Sequence, residues 1–216
     1  MKRLIFTAAI LAFAASAHAQ TYKETFDTNS LEWTECAYKS STGSAVIDKG
    51  VMTVKSKGEL KGLGALASAA GGKSVKMREN TFFETHCYAP LDIRKPFEIE
   101  AKVNIKQLAE DRLVGMVFNY RDGGNFYCFT FNDEFVQFRR YADNQLIGSV
   151  SQGIKWQGKR KADMEWTLVS DGDALVFKID GAAILTIRYM PLEYSGFGFY
   201  TFGNQELVVD EVEFRQ

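Results

Sequence analysis

Apolar and polar residues alternate with a period of two along most of this chain, the spacing at which successive side chains of an extended strand point to opposite faces. In Phe97-Glu98-Ile99-Glu100-Ala101-Lys102-Val103 the odd positions are apolar and the even ones charged. The odd set therefore faces a core, while Glu98 and Glu100 face water as solvated surface groups. Repeated along the chain, this pattern predicts thirteen strands. They are Tyr22 to Phe26, Ala45 to Ile47, Val51 to Lys55, Thr81 to Tyr88, Phe97 to Ile105, Val114 to Arg121 and Phe126 to Phe131. Phe135 to Tyr141, Met164 to Val169, Ala174 to Ile179, Ala183 to Tyr189, Gly196 to Phe202 and Leu207 to Phe214 complete the set. Helical spacing is confined to a turn at Gln107 to Arg112 and to the ambiguous Gly/Ala-rich stretch Leu60 to Ala70. The chain is expected to be all-β, a single large antiparallel sandwich of two sheets.

The turns agree with this expectation. Asp180-Gly181 separates two alternating runs, and such a pair permits the positive φ angles of a tight hairpin. Asp122-Gly123-Gly124-Asn125 is expected to do the same between two aromatic-rich strands. The glycine-rich segment Lys57 to Ser74 shows little alternation and reads as a long loop at the sandwich edge. No internal repeat or linker divides the chain.

The N-terminus has a different pattern. Lys2 and Arg3 precede a nearly unbroken apolar run, Leu4 to Ala15, and Ala17-His18-Ala19 is a small-x-small cleavage site. Residues 1–19 read as a signal peptide and 20–216 as the mature domain, beginning at Gln20 and periplasmic or secreted. At helical rise the run spans about 18 Å, short of the roughly 30 Å of a hydrocarbon core. A hydrophobic fraction of 46% with 25% charged residues excludes a disordered or multi-span membrane chain. Twenty-six basic residues stand against 27 acidic ones, a net charge of -1, so no electrostatic footprint for nucleic acid is present. Of the three cysteines, Cys128 falls inside an apolar strand, which leaves Cys36 with Cys87 as the expected disulfide in an oxidising compartment.

Few residues announce a reaction. Only two histidines exist, and His18 lies in the signal peptide, leaving His86 alone in its strand. That is too little for a zinc site, and no nucleophile-elbow motif supports a triad. Among the acids, alternation places Asp210 on an apolar face with Val208, Val212 and Phe214, and Glu24 stands between Tyr22 and Phe26. A carboxylate there must be hydrogen-bonded, paired or metal-bound. Glu24, Asp27 and Asp210 are therefore candidates for a structural calcium where the first and last strands meet, backbone hydrogen bonding at a strand end being the alternative. No other cofactor is indicated.

Several segments together resemble concanavalin A-like lectin/glucanase domains. They are Phe97 to Val103, Gly115-Met116-Val117-Phe118-Asn119-Tyr120-Arg121-Asp122, Asn125-Phe126-Tyr127, Lys178-Ile179-Asp180-Gly181, Gly196-Phe197-Gly198-Phe199 and Val209-Asp210-Glu211-Val212. The match is nearest to the secreted laminin-G-like and 3-keto-disaccharide hydrolase-like branches. It covers about Phe97 to Phe214, and more loosely Phe26-Asp27 and Leu31-Glu32-Trp33. The resemblance implies a jelly roll of two antiparallel sheets with a polysaccharide-linked role. The glucanase pattern Glu-x-Asp-x-Glu is absent, since neither Glu98-x-Glu100 nor Glu211-x-Glu213 has the middle aspartate.

Sugar binding needs aromatic faces for the apolar side of a pyranose and planar polar groups for its hydroxyls. Asn119, Arg121, Asp122, Asn125 and Tyr127 around the Gly-Gly turn, with Trp156 and Tyr200, form the expected binding surface. Core packing and turn formation are the competing roles for these residues. Tyr127, Phe129 and Phe131 share one strand face, and Phe126, Cys128 and Thr130 the other. Noncatalytic glycan binding is the leading expectation; a glycoside hydrolase with unidentified acids and a protein-binding assembly module are the alternatives.

Overall fold

The computed structural model describes residues 20–34, 42–57, 82–106, 108, 112–154 and 162–216. In chain order the strands are β1 (Thr21–Glu24), β2 (Gly43–Asp48), β3 (Val51–Ser56), β4 (Phe82–Tyr88), β5 (Phe97–Ile105), β6 (Leu113–Asp122) and β7 (Asn125–Phe131). They continue as β8 (Phe135–Ala142), β9 (Gln145–Gly153), β10 (Asp163–Ser170), β11 (Ala174–Ile179), β12 (Ala182–Arg188), β13 (Gly196–Phe202) and β14 (Gln205–Arg215). One sheet of eight strands runs β12-β11-β10-β5-β14-β3-β2, with β1 also on β14. The other, of six, runs β4-β13-β6-β7-β8-β9. All pairings are antiparallel and no helix occurs among the described residues, as the alternation predicted.

The gap between the sheets is filled by rings. Phe129 of β7 lies nearly parallel to Phe177 of β11, with centroids 5.5 Å apart, and also stacks on Phe118 of β6 at 5.4 Å. Trp166 of β10 meets Phe131 of β7 edge-on at 5.2 Å, and Trp33 stacks on Phe199 of β13. These rings are buried, so each removes apolar area from water and adds offset or edge contacts. On its other face the eight-stranded sheet is charged. Arg215 reaches Glu98, Glu100 and Glu213, and Glu211 pairs with Lys23 and Lys102. Glu98 and Glu100 are thus surface groups, as expected.

Three details depart from the sequence pattern or lie beyond its reach. β9 was missed because Gln-Leu-Ile-Gly-Ser-Val-Ser-Gln-Gly does not alternate; its ladder to β8 defines it, and Leu146, Ile147 and Val150 remain about half exposed. A register shift in β14 between Val209 and Glu211 turns Asp210 outward, although Leu207, Val209, Val212 and Phe214 all point inward. Strict alternation placed Asp210 inside because it could not anticipate that bulge. The Asp180-Gly181 hairpin has the expected positive φ angles, 50° and 77°, but Gly123 and Gly124 are not among the positive-φ residues. There the carboxylate of Asp122 holds the turn instead, accepting from Gly124 N and Asn125 Nδ2 at 2.9 and 2.8 Å.

The outermost described residues and the thiols complete the frame. β1 lies on β14, and Gln20 and Gln216 exchange backbone hydrogen bonds of 2.8 and 2.9 Å. Cys87 and Cys128 are buried free thiols; Cys36, the other half of the expected bridge, lies outside the described residues. The same holds for 58–74 of the glycine-rich segment and for most of 107–112. No helix among the described residues is long and apolar enough to cross a membrane.

Candidate functional site

The face of the six-stranded sheet turned away from the eight-stranded one carries a second apolar cluster: Leu113, Val117, Tyr120, Phe126, Cys128 and Tyr200. It arises because β6, β7 and β13 are apolar on both faces, whereas most strands of the other sheet are charged on one. Four rings cross this face from strand to strand. His86 of β4 stacks on Tyr120 of β6 at 4.1 Å, Tyr120 lies 6.0 Å from Phe126 of β7, and Phe126 stacks on Tyr141 of β8 at 4.8 Å. Adjacent rings in the series are inclined by 30° or less. β13 lies between β4 and β6 and presents Gly196 and Gly198 here, so no side chain separates Tyr120 from β4. A Cβ on Gly198 would stand 1.9 Å from the Thr85 carbonyl oxygen.

At the Tyr141 end is a cleft of about 140 Å³ lined by Gly123, Phe126, Tyr141, Asn144 and Tyr200. Two hairpin turns make its rim. Asn144 N donates to Gly124 O, and Asp143 N donates to the Asn125 side chain, which ties the β8–β9 turn to the β6–β7 turn. Asp143 and Asn144 have φ of 49° and 63°, values that Asp and Asn tolerate better than most residues.

Glu84 stands beside the cleft. The Tyr120 hydroxyl donates to its Oε1 at 2.9 Å, and that oxygen lies 3.3 Å from where a Cβ on Gly123 would be. Oε2 is buried and has no partner. Burial raises the Glu84 pKa, the Tyr120 hydrogen bond opposes the rise, and the negative charge of Asp122 adds to it. Asp122 is shifted the other way: hydrogen bonds from Asn125 and Gly124 hold its carboxyl below the usual range. His86, whose Nδ1 is also buried without a partner, is lowered by burial. Burial likewise raises Tyr120 and Tyr200, and pushes the Cys128 thiol up to about 12.

The structure divides the residues expected to bind. Tyr200 lines the cleft, and Asp122 and Asn125 build its rim. Asn119 instead faces the end of the sandwich: at φ 48° it accepts from Glu193 N and Tyr194 N at 2.7 and 2.9 Å. Tyr127 packs against the inter-sheet core, edge-on to Phe118 and Phe138, with the Arg140 guanidinium 5.1 Å from its ring. Arg121 pairs with Asp122 at 3.5 Å and lies 6.0 Å from the Tyr194 ring. Trp156 lies outside the described residues. Glu84, Tyr120, Tyr141 and Asn144 were not anticipated; alternation in β4 does place Glu84, His86 and Tyr88 together, but not against β6.

The proposed calcium ligands are not brought together. Glu24 is buried, with Oε1 accepting from Phe26 N at 3.0 Å and Oε2 from the Ser30 hydroxyl at 2.7 Å. Asp27 accepts from Thr25, and Asp210 is exposed on the bulge. No group of three His, Cys, Asp or Glu residues suited to a metal exists among the described residues.

No protein-family model matches the sequence, and neither does any curated protein. Solved structures of similar fold include the CBM2 module of the evolved Dit of Lactobacillus casei BL23 phage J-1, at TM-score 0.58 and 11% identity, covering 91% of this chain and 95% of that one. The Emp47p carbohydrate recognition domain follows at 0.56 and 10%, covering 90% and 93%. A Bacillus licheniformis beta-glucanase aligns at 0.53 and 9%, covering 90% and 97%. At such identities the likeness is one of fold, and the fold is the antiparallel jelly-roll sandwich expected from the sequence.

Proposed function

We propose that this chain is an exported carbohydrate-binding sandwich whose cleft beside the β6–β7 turn holds a sugar without cleaving it. The observation that carries this reading is the convergence of Tyr141, backed by Phe126, with the Asn144 side chain on one small cleft. An aromatic face and a planar amide are the two surfaces a pyranose requires. Carbohydrate-binding modules among structures of the same fold support it. Within this reading Tyr200, Asp122 and Asn125 shape the site.

Two other readings each have an observation behind them. For a glycoside hydrolase, Glu84 and Asp122 offer two carboxylates with opposed pKa shifts. Against it, Asp122 is engaged by its own turn and by Arg121. For an assembly module, β9 ends the described six-stranded sheet and exposes Leu146, Ile147 and Val150.

The test is to incubate protein beginning at Gln20 with a panel of poly- and oligosaccharides, measuring retention and analysing soluble products by mass spectrometry. Retention without fragments, lost in Tyr141→Ala, is the expected result. New fragments favour the hydrolase, and neither retention nor fragments favours assembly. For the export reading, the secreted or periplasmic protein has an intact mass beginning at Gln20.

A further inference from the structure

We infer that the cleft holds a single sugar ring, so that its ligand is the end of a glycan chain and not an internal stretch of one. The inference rests on the glycan reading of the cleft and deepens it by naming the ligand class. Size is the first observation. The cleft encloses about 140 Å³. A cavity of about 150 Å³ accommodates benzene, and pockets for larger ligands run from roughly 300 Å³ upward. There is room for one six-membered ring and none for two linked rings.

The walls set the same limit. An internal stretch needs a channel open at both ends and a row of ring faces for successive sugars. Here one end is shut by the two joined turns: Asn144 N donates to Gly124 O at 3.0 Å, and Asp143 N donates to Asn125 Oδ1 at 3.2 Å. Of the described rings lining the cleft, Phe126 and Tyr200 are buried, at 4% and 5% exposure, so Tyr141 alone presents a face to a ligand. The row does not continue past Phe126 either, since Tyr120 beyond it is buried. The polar side is single as well. The Asn144 amide lies flat over Gly124, its Cγ, Oδ1 and Nδ2 each 3.0 Å from where a Cβ there would stand, so a side chain at that position would crowd it. One ring face and one amide, meeting at a shut end, match one terminal sugar.

The experiment measures calorimetric affinity for gluco-, manno-, galacto- and xylo-oligosaccharides of one to six rings. Wild-type, Tyr141→Ala and Asn144→Gly proteins are used, with folding checked by near-UV circular dichroism. Glycine suits the φ of 63° at Asn144 while removing the amide. In whichever series binds, affinity per chain is expected to stay within about threefold from one ring to six, and Asn144→Gly to weaken every member alike, by about three- to tenfold. A long linear polysaccharide of that series is expected to retain more protein as mild hydrolysis multiplies its ends. Affinity that climbs about tenfold or more from one ring to four, or retention indifferent to shortening, overturns the inference while leaving the cleft reading intact. Both readouts use wild type, so they stand even if a variant does not fold. Absence of binding in every series, or full binding in Tyr141→Ala or Asn144→Gly, overturns the cleft reading itself.

Discussion

The phenol of Tyr120 on β6 donates a 2.9 Å hydrogen bond to Glu84 on β4, across the glycines of the intervening strand β13. Because this bond opposes the effect of burial on Glu84, its removal leaves a second unpaired oxygen and raises the carboxyl pKa further. Tyr120→Phe is expected to lose about 1 to 3 kcal/mol of stability, read from urea unfolding. A loss below the error of the measurement would mean that water replaces the phenol there.

Stability should depend on pH through two groups of opposite sign. Glu84 is raised above its ordinary 4.5, so the native state holds its proton more tightly than the unfolded chain does. Its contribution is therefore full at low pH and is lost as pH rises from 4.5 through the raised value. His86 is lowered below its ordinary 6.5, so the unfolded chain binds that proton more tightly. Its contribution is full above 6.5 and is lost as pH falls through the lowered value. Melting temperature against pH is expected to rise more steeply with pH in Glu84→Gln than in wild type, and less steeply in His86→Gln.

Phe129 links the two sheets through Phe177 while stacking on Phe118 within its own. With its ring fully buried, Phe129→Ala opens a cavity and should cost about 3 to 5 kcal/mol. Chemical denaturation measures this directly; a cost under about 1 kcal/mol would show that the sheets close over the gap.

Glu24 and Asp210 looked alike in sequence but differ in setting. Glu24→Ala removes two acceptors, one of which holds Phe26 at a positive φ of 58°, and should cost about 1 to 3 kcal/mol. Asp210→Ala, on an exposed bulge, should change stability by less than about 0.5 kcal/mol. Both values should be the same with calcium and with EGTA. Calcium-dependent stabilisation of wild type, lost in either variant, would restore the metal reading.

These contrasts show what the sequence made legible. Strands such as Phe97–Ile105 were readable because one side of each is wet, so the alternation reports burial directly. Asp210 was misplaced because a single extra residue inverts the phase of everything beyond it, and phase is a property of the ladder rather than of the segment. β9 lacked any contrast between its faces. The binding surface was legible only where it is local: Asp122 and Asn125 belong to one turn, but Glu84 reaches Tyr120 only through the order β4-β13-β6. Asn119 and Tyr127 have the chemistry of sugar ligands, yet backbone and core partners already engage them.

The place of β14 has a consequence for how the protein is made. This strand, near the end of the chain, sits inside the eight-stranded sheet and pairs with β5, β3 and β1. As the polypeptide leaves the ribosome, β1 has no partner until synthesis reaches Gln205–Arg215, and β3, paired with β2, and β5, paired with β10, each wait with one edge open. The eight-stranded sheet therefore closes only after Gln205–Arg215 has emerged, and until then its central strands have open edges on which a neighbouring nascent chain could add.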